Sequence, residues 1–528
     1  MSRRNPANPI GPSQPDQSAS ESRTSRLGLA LLAAILLFSL LLGASAVAEF
    51  RHSPFNNLPV LDERSYVDWG REIAAGEVLG AKVFYQDPLY PYFLGLVFRL
   101  AGPRLLLVRL LQVLMGTISV GLVFLAAKRL LGEPTGLLAA LLLALTGPLY
   151  FFELLLLKAS LVILTSSASI LLGVRAAERP DAKADWIGLG LTLGLLCLLR
   201  GNFLAVVPPL LVWAALAAAG NMRDRLRRAI LLAAGAALVI LPVTARNYAV
   251  GGELVLTTSQ GGANFYIGNN PTAPGYYGVI PFVRPEPRYE AADFQAEAQR
   301  RAGRSLTPSQ VSGFWFRQGF AWIAANPGDA CLLYLHKARL LIHQFEIPDN
   351  YSFTLTREYF APALKLPFLG IGLLWGPALV GAAWLWRRDR RSRYPLLFAL
   401  LYAGAIVPFF IVDRYRSPLL APLALYAACF LTLAARKWRD RERTSLPTAA
   451  AVIFVALLLG LLPTPESLSS MPVAAYNIGN AYYDTGRPAE ALRWYERTLA
   501  VLPDHAGARA NRAAALKWLE EERGQTRP

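Results

Sequence analysis

Charge is scarce in this chain, and cysteine and histidine are scarcer. Of 528 residues only 17% are charged while 54% are hydrophobic; an ordinary soluble domain carries about a quarter charged residues. That balance excludes a plain water-soluble globule. The three cysteines, Cys197, Cys331 and Cys429, have no metal-ligand spacing. Cys197 and Cys429 fall inside apolar runs, so no disulfide framework is implied. Four scattered histidines make no metal cluster. Acidic residues are outnumbered, 36 against 53 basic, for a net charge of +17. The surplus does not point to nucleic acid, because the arginines crowd into short loops: "RDRLRR" at 223–228, "RRDRRSR" at 387–393 and "RKWRDRER" at 436–443. Basic residues in short loops between apolar runs mark the cytoplasmic side of a membrane protein.

What the chain has instead is long apolar runs. A helix needs about 20 apolar residues to cross a bilayer core. Such runs stand at 27–48, 105–127, 135–152, 159–176, 186–200, 203–219, 229–246, 366–386, 394–412, 417–435 and 447–462. The sequence therefore predicts an all-α polytopic membrane protein with about eleven spans. With the N-terminus inside, every Arg-rich loop falls on the cytoplasmic face. The segments 49–104, 153–158, 201–202, 247–365, 413–416 and the C-terminal tail then lie outside, on the periplasmic side of a bacterial inner membrane. Residues 1–26, rich in Ser, Pro, Asn and Arg, are expected to be a disordered cytoplasmic tail. The first run is longer than a signal-peptide core, so an uncleaved anchor is expected despite "ASA" at 44–46.

The tail after 462 differs in kind. Residues 472–505, "PVAAYNIGNAYYDTGRPAEALRWYERTLAVLPDH", resemble a tetratricopeptide repeat, with Gly479, Tyr482, Ala491, Tyr495 and Pro503 at that family's spacings. A partial second copy follows at 506–522. One and a half repeats bury little alone, so the 463–528 unit is expected to pack on the rest of the protein or to bind a protein partner. It is expected to be dispensable for chemistry on a small acceptor.

Polar chemistry gathers on the outer side. Directly after the first run come two adjacent carboxylates, Asp62 and Glu63, in "LPVLDERSYVDWGREI". Residues 65–76 and 88–100 have amphipathic helical rhythm and are expected near the headgroup level, where Trp and Tyr favour the interface. Glu153, Lys158, Arg200, Arg246, Arg414 and Arg416 stand at or near the outer ends of spans. Cations recurring where positive charge is normally scarce point to one anionic ligand. A lipid phosphate fits, since arginine binds phosphate oxygens bidentately and lysine binds them as a point charge. A carboxylate beside that phosphate can deprotonate an attacking hydroxyl.

At these residues the chain resembles a known family. The acidic pair, "QDPLYPYFLGLVFRL", "RNYAVGGELVLTTSQGGANFYIGNNPTAPG" and "DRYRSPLLAP" are similar to bacterial members of the protein O-mannosyltransferase-like group, which includes the lipid A aminoarabinose transferases. The resemblance spans roughly residues 27–435. It implies a GT-C fold and an inverting glycosyltransferase that takes a hexose or pentose from a polyprenyl-phosphate donor. The acceptor is then a protein, a lipid or a glycan. By that resemblance the first-loop aspartate, Asp62, is the catalytic carboxylate, with Glu63 its nearest substitute and Glu153 the acid of the second outer loop. Lys158, Arg200, Arg246, Arg414 and Arg416 form a pool of phosphate-binding candidates. A divalent metal held by Asp62 and Glu153 stays open, as do the rival readings of a lipid-linked oligosaccharide ligase or polymerase and of a transporter.

Overall fold

The computed structural model describes residues 17–284 and 287–525. Among them every regular element is helical, and the one β-type pairing is an isolated bridge between Thr146 and Leu369. The chain opens with α1 (Gln17–Phe50), which begins inside the stretch expected as a disordered tail. The rest of that stretch, 1–16, lies outside the described residues. Two outer helices follow, α2 (Leu61–Ala75) and α3 (Leu89–Ala101). Then come α4 (Leu105–Leu131), α5 (Glu133–Ala144), α6 (Gly147–Leu154), α7 (Ala159–Glu178), α8 (Lys183–Leu199), α9 (Val207–Leu216) and α10 (Met222–Gly251). The large outer segment builds α11 (Gly261–Gly268), α12 (Pro287–Ala302), α13 (Pro308–Ala325), α14 (Pro327–Ile342) and α15 (Phe353–Tyr359). Apolar helices resume with α16 (Ile371–Trp386), α17 (Arg393–Ile406), the single turn α18 (Asp413–Arg416), α19 (Leu420–Arg439) and α20 (Leu446–Leu461). The tail forms α21 (Pro465–Asp484), α22 (Pro488–Val501) and α23 (Ala506–Gln525).

Each of the eleven apolar runs carries helix, but they are not equal. Among the described residues, six stretches are long and apolar enough to cross a membrane: Arg26–Phe50, Leu105–Leu131, Ala159–Glu178, Met222–Gly251, Asp413–Arg439 and Arg443–Leu461. The other five runs fall on α5–α6, α8, α9, α16 and α17, none longer than the 17 residues of α8. The run 135–152 is broken for a local reason. Pro148 cannot donate into a helical ladder, so the helix stops at Ala144. The freed groups pair elsewhere: Gly147 N–H donates to Leu369 O at 2.9 Å, and Leu369 N–H to Leu145 O at 2.9 Å. Large apolar side chains such as Leu29, Leu37, Leu114, Leu238 and Phe454 point outward, as lipid-facing helices require. Inside, small residues let backbones meet. A Cβ on Gly190 of α8 would strike the Leu232 carbonyl of α10 and lie 3.0 Å from the Gly235 Cα.

The polar segments between the apolar helices pack into a layer. α2 buries Tyr66, Val67 and Ile73 against α3, whose Tyr90 ring meets Tyr66 edge-on at 5.7 Å. The stretch "GGANFYIG" is a helix rather than a loop. Its glycines serve close packing, since a Cβ on Gly262 would run into Ser312 O and one on Gly268 into Phe409 O. The tetratricopeptide unit also joins this layer. Gly479 of α21 admits the Tyr495 ring of α22, with only 2.6 Å to spare for a Cβ. Trp494 of α22 meets Tyr359 at 5.0 Å and Phe360 at 6.2 Å. The tail is thus docked on the chain's own segment around α15.

Candidate functional site

Asp62 sits in the first turn of α2, one residue after Leu61, whose φ of 50° lies in the left-handed region. A leucine held there is strained, and such strain persists only where the surroundings enforce it. The turn sends the two neighbouring carboxylates in different directions. Asp62 faces a cavity of about 200 Å³. Glu63 turns into the protein, where its oxygens accept from Leu156 N–H at 2.7 Å and Tyr351 O–H at 2.6 Å. Neither is a helix cap: the N-cap is Val60, with no side-chain cap bond.

Segments distant in sequence close around the Asp62 cavity: the start of α2, Gln86, Lys158, Gln260 and Asn264 before and on α11, Tyr277, Glu290 of α12, Asp349, and Arg414 and Tyr415 of α18. At its centre one guanidinium bridges two acids. Arg414 Nη1 meets Asp62 Oδ2 at 2.7 Å, and Arg414 Nε pairs with Asp349. Gln86 donates to Asp62 Oδ1 at 3.4 Å. The second cation, Lys158, pairs with Asp87, which also accepts from Gly201 N–H at 3.1 Å and Gln260 at 3.5 Å. Arg200 lies just behind. Its guanidinium stacks on Tyr415 at 4.6 Å and donates to the Arg414 carbonyl, which fixes the α18 turn. Glu290 closes the far wall, taking Tyr85 O–H at 2.8 Å and Tyr277 O–H at 2.9 Å.

Burial sets the electrostatics. It pushes the Asp349 and Glu290 carboxyls above their ordinary range; Arg414 pulls Asp349 back, and the two tyrosine hydroxyls pull Glu290 back. The Lys158 ammonium is pushed down by burial, with Asp87 opposing. Glu63 is raised to about 7 by burial, opposed first by Arg109.

Of the residues expected at the site, the structure brings Asp62, Lys158 and Arg414 together, with Arg200 supporting them. The others lie elsewhere. Glu63 is a brace between α2 and the loop after α6. Glu153 points away, wedged against Gly43 of α1 and Gly116 of α4, with neither carboxylate oxygen hydrogen-bonded. Its neighbours and those of Asp62 do not overlap, so the two are not arranged to share a metal. Among the described residues no group of three or more His, Cys, Asp or Glu is placed to hold one. Arg246 clamps the first outer loop, donating to Leu79 O at 2.6 Å and covering the Phe84 ring at 3.7 Å. Arg416 pairs with Glu346 and donates to the Leu340 and Phe345 carbonyls, at 3.2 and 3.0 Å.

Sequence reasoning missed Asp87, Asp349, Glu290 and the glutamines. Asp87 had a signal: it precedes Pro88 at the mouth of an amphipathic helix, as Asp62 stands at the mouth of α2. Asp349 and Glu290 had none, because they enter the site through the folding of a long polar segment.

Comparison with known proteins agrees in kind. Residues 86–246 match the family model described as dolichyl-phosphate-mannose-protein mannosyltransferase, and residues 472–505 match the tetratricopeptide repeat. No curated protein matches the chain. Among solved structures, the chain is similar to the oligosaccharyltransferase AglB of Archaeoglobus fulgidus in complex with an inhibitory peptide and a dolichol-phosphate, at 14% identity and TM-score 0.46. That alignment covers 90% of this chain and 58% of AglB, so this chain spans under two thirds of that protein's length. It is also similar to ArnT of Cupriavidus metallidurans bound to undecaprenyl phosphate, at 16% identity and TM-score 0.43, over 94% of this chain and 75% of that one.

Proposed function

We propose that the protein is an integral-membrane inverting glycosyltransferase with a GT-C-like bundle, which moves one sugar from a polyprenyl-phosphate carrier to an acceptor hydroxyl at its outer face. Asp62 takes the proton of the acceptor hydroxyl as its oxygen attacks the anomeric carbon. The bond from that carbon to the phosphate oxygen breaks, and its electron pair leaves on the lipid phosphate. Arg414 and Lys158 stabilise the departing charge, each by exchanging a carboxylate partner for a phosphate oxygen. Attack opposite the leaving group inverts the anomeric centre. The family match over 86–246, to enzymes named for dolichyl-phosphate-mannose, supports the donor class.

One observation carries the reading: a buried carboxylate and two buried cations from three distant segments face a single cavity of about 200 Å³. The test is release of polyprenyl phosphate by purified protein from a panel of polyprenyl-phosphate hexoses and pentoses. Release that depends on Asp62 supports the reading. Turnover only of a diphosphate-linked oligosaccharide, or of no donor, refutes it.

A further inference from the structure

Helix α14, in the long segment 247–365, is turned inside out for a helix in water. Its buried side carries Lys337, which is 0% exposed and donates to the Gly268 carbonyl at 2.7 Å. Its open side carries Cys331, Leu332, Leu335 and Ala338, spaced to share one helical face. Leu332 is 67% exposed and Leu335 63%. A single exposed leucine means little, but a leucine face opposite a buried lysine reverses the usual partition. The remaining charged residues of α14, Asp329 and Arg339, stand in its first and last turns. The preceding helix, α13, repeats the pattern: Phe320 is exposed alongside Ala321 and Ala324, while Trp315 and Gly319 face inward.

The apolar face of α14 adjoins that of α20. Gln344 N–H donates to Gly460 O at 2.8 Å, and Arg339 donates to Leu462 O at 2.9 Å and Pro463 O at 3.1 Å. A Cβ on Gly460 would lie 3.2 Å from the Ile342 carbonyl, so no gap separates the two helix ends. α20 belongs to the least covered of the six membrane-competent stretches, and its Phe454, Val455, Leu458 and Leu461 are exposed.

We propose that α14 lies in the bilayer surface at the C-terminal end of α20, with Leu332 and Leu335 among the acyl chains, and so seats the 247–365 segment on lipid. An exposed apolar patch of this kind marks a docking surface, and a helix with one apolar face and charged ends suits the plane of the interface. Arg339 reaches past the apolar face to the end of α20, as a snorkelling side chain does. A second copy of this chain would have to match α14 and α20 together; lipid covers both without a complementary shape. The same helix holds α11, through Lys337 and through Tyr334 O–H, which donates to Asn269 Oδ1 at 2.9 Å. α11 brings Asn264 to the Asp62 cavity, so lipid under α14 supports one wall of that cavity. This contact stands whatever reaction the cavity performs.

The native thiol of Cys331 is the probe, since Cys197 and Cys429 are buried. The full chain with bimane on Cys331 is placed in phosphatidylcholine nanodiscs, and Cys331→Ser protein treated alike sets the background. Quenching by lipids that carry a nitroxide on the acyl chain is compared with quenching by aqueous iodide. Asp504→Cys in the Cys331→Ser protein is the water-exposed reference, at a side chain that is 100% exposed. Nitroxide lipid should quench the Cys331 label severalfold more than the label at 504, and iodide severalfold less. Iodide quenching equal to the reference, with no excess from lipid, puts the face in water and overturns the proposal. Quenching by neither agent shows a protein cover and overturns it equally. Leu335→Cys in the Cys331→Ser protein, one turn along the same face, should repeat the lipid result; iodide-dominated quenching there overturns the acyl placement.

Discussion

Asp62→Asn removes one charge and the proton acceptor while keeping the side-chain shape. The structure separates its effect on stability from its effect on rate. Breaking a buried ion pair so that a charge is stranded costs about 3–5 kcal/mol. Here Arg414 keeps Asp349 as a partner, so the loss should resemble that of one charged hydrogen bond, about 1.5–3 kcal/mol. A chain with an ordinary stability of about 5–15 kcal/mol stays folded after that loss. No cap is lost, because the N-cap of α2 is Val60. Removal of a general base slows chemistry by about 10²–10⁴, or about 2.7–5.4 kcal/mol of barrier. Single-turnover transfer should therefore fall by at least about a hundredfold, while donor binding and the melting transition in detergent persist. Asp349, on the other side of the same guanidinium, is the rival base. Burial pushes its carboxyl up, which favours the protonated form that cannot act as a base. Asp349→Asn should thus cost less than Asp62→Asn. Folded Asp62→Asn working within about tenfold of the parent, or a collapse confined to Asp349→Asn, refutes the assignment.

Four further outcomes are expected. Glu63 ionises at about 7 in the folded chain against 4.5 ordinarily, so the folded state holds the extra proton in that window and its stability falls as pH rises through it. The total is roughly 3 kcal/mol; Glu63→Gln should flatten the melting temperature against pH over that range with only a modest loss of transfer, and an unchanged slope refutes the burial argument. Trp494→Ala, which empties the contact with Tyr359 and Phe360, should destabilise by about 3 kcal/mol, measured by thermal melting. Deleting 466–528 should lower the melting temperature yet leave transfer to a small alcohol, since no described residue of α21–α23 lines the Asp62 cavity; loss of that transfer in folded protein would make the unit part of the chemistry. Asp504→Cys, at a fully exposed side chain, in a Cys331→Ser background, should react with an impermeant thiol reagent in intact spheroplasts if the tail lies outside, and only after lysis if it does not.

The one-dimensional pattern determined the class of this protein. Apolar runs are helical in lipid because no other open structure satisfies their backbone groups, and each of the eleven runs carries helix. The alternation of Arg-rich and polar loops grouped 49–104, 153–158, 201–202, 247–365 and 413–416 on one side, and residues from these segments do meet around Asp62. The spacing of Gly479, Ala491 and Tyr495 was enough to place the tetratricopeptide packing, because it is local. Asp62, Lys158 and Arg414 were legible as charges at the ends of apolar runs. Tertiary structure decided which charges face one another. Glu63 differs from Asp62 by one position, about 100° of helical turn, and that turn makes one a cavity group and the other a brace. Arg246 and Arg416 carry the same guanidinium as Arg414, but Arg246 is spent on the Leu79 carbonyl and Arg416 on Glu346 and backbone carbonyls. Asp349 and Glu290 arrive from a long segment whose path no periodicity encodes. Hydrophobic pattern specifies which face of a helix is buried; the partner of a buried charge depends on contacts between segments hundreds of residues apart, and only the folded chain supplies those.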